Sequence, residues 1–128
     1  MTYQYQQFPN EPIIVSTLLP SYRVEIDALS YSSDGKALLD KVSQPVFFIE
    51  DFTRSTLDMQ DLAYGASVVA KDPTSLLRHP NIRQILYVTD SEIMRLSASG
   101  MNNEVFGNLK IQVFDTLQEA LAYARSQN

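Results

Sequence analysis

The fold class predicted for this chain is α/β, with one mostly parallel sheet and helices packed on it. Two observations predict it. Three runs of large apolar residues each end in an acid and then a Ser or Thr: VFFIEDFTRST (46–56), ILYVTDSE (85–92) and KIQVFDTLQE (110–119). The apolar run suits a strand covered on both faces, and the acid with its hydroxyl suits the first turn of a following helix. Between these runs lie segments with apolar residues at helical spacing, which makes the pattern a βα repeat and places the three junctions on one edge of the sheet.

In chain order, residues 1–12 are polar and end in Pro9 and Pro12, so they read as a flexible N-terminal tail; the alternation of Tyr3, Tyr5 and Phe8 is also compatible with an added edge strand. Ile13 to Leu18 is the first strand. Tyr22, Val24 and Ile26 alternate and suggest a second strand after Pro20. A helix is expected from Ser33 or Asp34 to Ser43, with Ala37, Leu38, Leu39 and Val42 as its apolar stripe, stopped by Pro45. Val46 to Ile49 follows as a central strand.

The next helix is expected to start near Ser55 or Thr56, because Ser55-Thr56-Leu57-Asp58 has the capping-box pattern. Gly65 weakens that helix by about 1 kcal/mol relative to Ala, which close approach of a neighbouring backbone would justify. Asp72-Pro73 interrupts it, Thr74 to Arg78 resumes it for a turn, and His79-Pro80-Asn81 stops it. Ile82 to Thr89 is a strand and Ser91 to Ser99 a helix, with Gly100 placed for a left-handed cap. Gly107-Asn108 turns into the strand Leu109 to Phe114. Thr116-Leu117-Gln118-Glu119 is a second capping box, opening a helix lined by Leu117, Ala120, Leu121 and Ala124.

Composition excludes several function classes. The 128 residues carry 15 acids against 10 bases, a formal charge of −5, and the bases are scattered singly. A nucleic-acid or anionic-membrane surface needs clustered cations, so neither partner is expected. With no cysteine, disulfide scaffolds, thiolate catalysis and Cys-ligated metals are excluded. MTYQYQQFPNEP has no positive or apolar leader region, and no apolar run approaches the roughly 20 residues that span a bilayer, so a cytoplasmic protein is expected. The four glycines are isolated, leaving no Gly-rich phosphate loop.

The segments PVFFIEDFTRSTLDMQDLAYGAS (45–67), HPNIRQILYVTD (79–90) and NLKIQVFDTLQEALAYARS (108–126) resemble the STAS-type fold of sulfate-transporter tails and anti-sigma-factor antagonists. Within it, the likeness is to the SpoIIAA-like branch and to Sec14-like small domains. The resemblance implies a single domain over residues 13–128, with a four- to five-stranded sheet in the order β(β)αβαβαβα. Regulated antagonists carry Asp-Ser-x-Gly where the central strand meets its helix, and that Ser is their phosphorylation switch. Here the stretch is Asp51-Phe52-Thr53-Arg54-Ser55-Thr56-Leu57, without the Asp-Ser step or the Gly; a hydroxyl remains as Ser55 or Thr56.

Glu50, Asp51, Asp90 and Asp115 fall along one edge if the three strands are parallel neighbours. Clustered carboxylates could hold Mg²⁺ or accept a phosphoryl group. The phosphoryl reading needs a Lys just after a later strand, whereas Lys110 sits at a strand's start. Acids at helix starts are explained one by one by capping and the helix dipole, which is the preferred reading. Ser55 and Thr56 read first as caps and second as a phosphorylation site. His79, the single histidine, lies in a helix-ending loop away from the acids and reads as a surface or capping residue. Met94, Leu96, Met101, Val105 and Phe106 read as core, with an apolar ligand pocket or an oligomer face as the alternative.

The function expected from this reading is a non-enzymatic regulatory module that binds a protein partner or itself. Its edge would comprise Asp51, Ser55, Thr56, Asp90, Ser91 and Asp115, with no catalytic residue, metal or cofactor. The alternative is a small binder of lipid or another apolar ligand, using a pocket between the third helix and the sheet.

Overall fold

The computed structural model describes residues 1–104 and 109–127. Five strands form one sheet in the order β1-β2-β3-β4-β5: β1 (Tyr3–Gln7), β2 (Ile13–Leu18), β3 (Val46–Asp51), β4 (Ile82–Val88) and β5 (Gln112–Phe114). β1 runs antiparallel to β2, and the remaining pairs are parallel. Four helices accompany them: α1 (Val24–Asp40), α2 (Met59–Lys71), α3 (Glu92–Gly100) and α4 (Leu117–Ser126), with a 3-10 turn at Leu76–Arg78.

The layering follows from the strand order. Three parallel crossovers, β2 to β3, β3 to β4 and β4 to β5, all step the same way across the sheet, and the right-handed rule then sends their helices to one face. α1, α2 and α3 pack there over Ile14, Phe48, Ile85 and Tyr87. α4 follows the last strand and covers the other face, where Ala120 and Ala124 meet Ile13, Val15, Phe47, Ile49, Leu86 and Val88. The alternation along β3 explains its continuous apolar run: both faces are covered, and every residue from Val46 to Asp51 is buried.

Residues 1–12, the expected tail, contribute the edge strand β1, whose Tyr3 and Tyr5 pack against the α1 face. Tyr22–Ile26 is not a strand. The chain turns after Leu19, whose carbonyl accepts the Tyr22 N–H, and Asp27 accepts the Arg23 N–H, so the helix begins at Val24, well before Ser33. Ile26 is 71% exposed, and the alternation of Tyr22, Val24 and Ile26 therefore marks no buried strand face.

α2 starts at Met59, beyond Ser55 and Thr56. Asp58 is its N-cap, in a capping box with Asp61, and the loop 52–58 lies before it. Gly65 has no close neighbour: a Cβ there would meet nothing within 4 Å. Gly100 is not a left-handed cap, since α3 ends on Met101 at φ −85°, whose N–H is held by the Ala98 and Ser99 carbonyls. β5 is shorter than Leu109–Phe114 because Lys110 takes a left-handed φ of 57°, which breaks extension. Ser91 and the Thr116–Glu119 capping box begin α3 and α4 as expected. The expected turn at Gly107-Asn108, and Val105 and Phe106 of the soft apolar region, lie outside the described residues. Among the described residues no helix is long and apolar enough to cross a membrane.

Candidate functional site

Glu50 and Asp51 are consecutive in β3 and so point to opposite faces. Glu50 faces the α1–α3 side, where Phe48 and Phe52 also point, and is 5% exposed. Tyr31, from the middle of α1, reaches down to the sheet and donates its hydroxyl hydrogen to Glu50 Oε2 at 2.5 Å. Its oxygen is also 2.7 Å from Ser16 Oγ of β2. With the tyrosine proton on Glu50, the serine hydroxyl is the donor in that second bond.

Further tyrosines surround this pair. Tyr5 of β1 stacks on Tyr31 with ring centres 5.3 Å apart and donates to the Tyr31 carbonyl at 2.7 Å. Tyr3 binds Asp34 at 2.6 Å and meets Tyr31 edge-on. Tyr22 packs edge-on to Tyr31 at 5.8 Å, and Tyr87 of β4 meets Phe52 at 4.9 Å. Burial penalises the charged form of each, and the nearby Glu50 charge adds to it. The hydroxyls of Tyr5, Tyr22, Tyr31 and Tyr87 are therefore all held above the ordinary phenol range. Burial pushes Glu50 up to about 7, against the opposing pull of the Tyr31 hydrogen bond.

Above Glu50 lies a cavity of about 180 Å³ between the sheet and the three helices. Tyr22, Tyr31, Phe52, Leu57 and Tyr87 contribute to its wall; α2 adds residues from Asp61 to Val69, and α3 with its cap adds Met94, Ser97 and Met101. Ser75, beside the 3-10 turn, also lines it, and its buried hydroxyl has no hydrogen-bond partner among the described residues.

The six residues expected on the edge do not enter this cavity. Asp51 lies on the α4 face, where its Oδ1 accepts from the Thr53 N–H and hydroxyl. Ser55 donates to the Phe52 carbonyl and Thr56 to the Pro20 carbonyl, so neither caps α2. Asp90 is exposed, Ser91 caps α3 through the Met94 N–H, and Asp115 pairs with Arg95. Because the parallel strands never reverse order, this edge has no switch-point crevice of the doubly wound kind. Among the described residues no group of three metal-ligating side chains comes together. His79 sits at the opposite edge, accepting the Asn81 N–H on Nδ1 and facing Asp40 through Nε2 at 2.7 Å.

Sequence reasoning groups Glu50 with the edge acids and passes over Tyr31, Tyr87, Ser16 and Ser75. One signal is legible: a lone carboxylate inside a run otherwise apolar on both faces must be buried. Its partners come from β1, β2, α1 and β4, and no local motif connects them.

No protein-family model matches the chain, and no curated protein matches it. Solved structures do. An uncharacterized protein of the DUF3478 family with a SpoIIAA-like fold, from Shewanella loihica PV-4, superimposes with a TM-score of 0.57 at 11% identity, over 95% of this chain and 91% of that one. An anti-sigma factor antagonist from Mycobacterium paratuberculosis superimposes with a TM-score of 0.53 at 13% identity, over 96% of this chain and 94% of the other. The chain therefore has the SpoIIAA-like, STAS-type α/β fold.

Proposed function

We propose that this chain is a non-enzymatic regulatory module that works in the cytoplasm by binding a protein partner or a second copy of itself. The likeness in fold, over nearly the whole of both chains, to a protein named an anti-sigma factor antagonist is the observation that carries the proposal. The edge formed by residues 51–56, 89–91 and 115–116 is the proposed contact surface. Asp51, Ser55, Ser91 and Asp115 are engaged in local turns, a cap and one ion pair rather than converging on a point where a substrate could react. Thr53, Arg54, Thr56 and Asp90 remain exposed there. Size-exclusion chromatography with light scattering, and co-purification from the native host, test this reading. A dimer, or a retained protein lost on Thr56→Glu and Asp90→Arg substitution with unchanged circular dichroism, is expected. A lone monomer that retains nothing overturns it.

A second reading, a binder of an apolar small molecule, is favoured by the cavity under α2. A cavity of roughly 150 Å³ is enough to take up benzene, and this one is about 180 Å³. Native mass spectrometry of the purified protein should show a retained small molecule or saturable uptake of an added one.

A further inference from the structure

The cavity wall has a charge imbalance. Among the described residues two carboxyl groups, Glu50 and Asp61, line it, and no Lys, Arg or His does. Glu50 is 5% exposed, yet among the described residues its carboxyl receives one hydrogen bond, from Tyr31. A carboxylate can accept about four, and a buried one is stabilised only when its charge is met by donors or a cation. A second polar group in the wall, the Ser75 hydroxyl, is buried with no partner. Apart from Ser32 and Ser97, the rest of the wall is aromatic and aliphatic, so the groove is shaped for an apolar body with one polar, positively charged end.

We infer that the cavity binds a small apolar amine, its ring or alkyl body against Phe52, Leu62, Val69 and Met94 and its ammonium group on the Glu50 carboxylate among the tyrosine rings. The inference rests on the second reading above and narrows it. Carboxylate and phosphate ligands, fatty acids included, are disfavoured because they would bring a third negative charge to a wall with no base. The tyrosine faces around Glu50 add attraction for a cation at close range.

The titratable groups facing Glu50 are Tyr5 from β1, Tyr22 from the turn before α1, Tyr31 from α1 and Tyr87 from β4; Asp61 of α2 lines the same cavity with its carboxyl accepting the Asp58 N–H, and α3 presents Met94 and Ser97, neither of which titrates. All four tyrosines are held above their ordinary range and stay neutral near pH 7. Glu50, raised to about 7, changes charge there. An amine needs the ionised form, so binding below that point releases the Glu50 proton to solvent.

The test is a protein-observed NMR titration of the full chain with phenethylamine, its neutral isosteres 2-phenylethanol and propylbenzene, and 3-phenylpropanoate. Phenethylamine is expected to bind roughly tenfold more tightly than 2-phenylethanol at pH 8, the advantage of a charge-assisted bond. The acid should not bind. Phenethylamine affinity should fall roughly tenfold per pH unit below about 7, while the affinity of the alcohol stays level. Glu50→Gln should erase the preference and keep the alcohol site. If that variant does not fold, the wild-type pH profile decides alone. Equal binding of amine and neutral isosteres, or a flat pH profile, overturns the amine inference and leaves the apolar-ligand reading standing. Failure of every probe at millimolar concentration overturns both, and preference for the acid overturns the amine inference.

Discussion

Glu50 couples the site to stability. Its carboxyl titrates near 7 in the folded chain against an ordinary 4.5, so between those values the folded state holds a proton that the unfolded chain has released. Stability therefore falls as pH rises through this window and is level above it. Replacement by Gln removes the titration. We expect the stability difference between Glu50→Gln and the wild type to shift in favour of the variant by on the order of 3 kcal/mol between pH 4.5 and pH 8. Urea midpoints at the two pH values measure it, and a constant difference would contradict the burial argument. Gly35 is a second residue whose identity is dictated by a neighbour. A Cβ there would lie 2.5 Å from Tyr5 Oη and 2.8 Å from a Leu76 methyl, and Tyr5 cannot swing away without giving up its bond to the Tyr31 carbonyl. Gly35→Ala should cost on the order of 1 kcal/mol net in thermal or urea unfolding, because overpacking outweighs the gain in helix propensity.

At the scale of elements, α2 is the informative case. Two overlapping capping patterns, Ser55 to Asp58 and Asp58 to Asp61, are both in the chain, and the second is used. The loop before it is held by Ser55 on the Phe52 carbonyl and by the partly buried Leu57 packed on the core. Asp58→Ala should therefore cost about 1 kcal/mol, leaving the Asp61 N–H without its acceptor. Ser55→Ala should stay within about 0.5 kcal/mol, as for an ordinary loop position. The reverse ranking of urea midpoints would move the helix start back to Ser55. Gly65 lies inside the same helix with open space beside it, so Gly65→Ala should stabilise by about 0.5–1 kcal/mol, read as a rise in melting temperature. Its neighbours Tyr64 and Val68 are half exposed at the cavity mouth, and Val69 is the one α2 residue that is buried. α2 thus covers the cavity with little packing of its own.

At the scale of the whole molecule, the N-terminal strand closes the sheet and the tyrosine cluster together. Tyr3 and Tyr5 tie β1 to α1 through Asp34 and the Tyr31 carbonyl, and β1 shields the Ser16 side of the Glu50 network. Deleting residues 1–8 removes the β1–β2 pairing, the Tyr3 and Tyr5 hydroxyl bonds and three partly buried aromatic rings, those of Tyr3, Tyr5 and Phe8. The expected loss is on the order of 3 kcal/mol of unfolding free energy, visible as a lower urea midpoint. An unchanged midpoint would mean that β1 is not part of the cooperative unit.

The sequence by itself determined the repeating order of strands and helices, the starts of α3 and α4, and the burial of both faces of β3. These rest on local physics: side chains that cap a helix a few residues away, and apolar runs of fixed period. It also determined that thiol chemistry is excluded, since the chain has no cysteine. The first two turns of α1 were not legible, because Arg23 supplies no side-chain cap and the alternation from Tyr22 to Ile26 imitates a strand. Among the edge residues, the cap of Ser91 was legible from its neighbours, whereas the pairing of Asp115 with Arg95 joins separate elements. Only the tertiary structure decided that Tyr31 and Ser16 meet Glu50 beneath a cavity walled by three helices. Those contacts join residues far apart in the chain, and their positions depend on strand order, which no local spacing encodes.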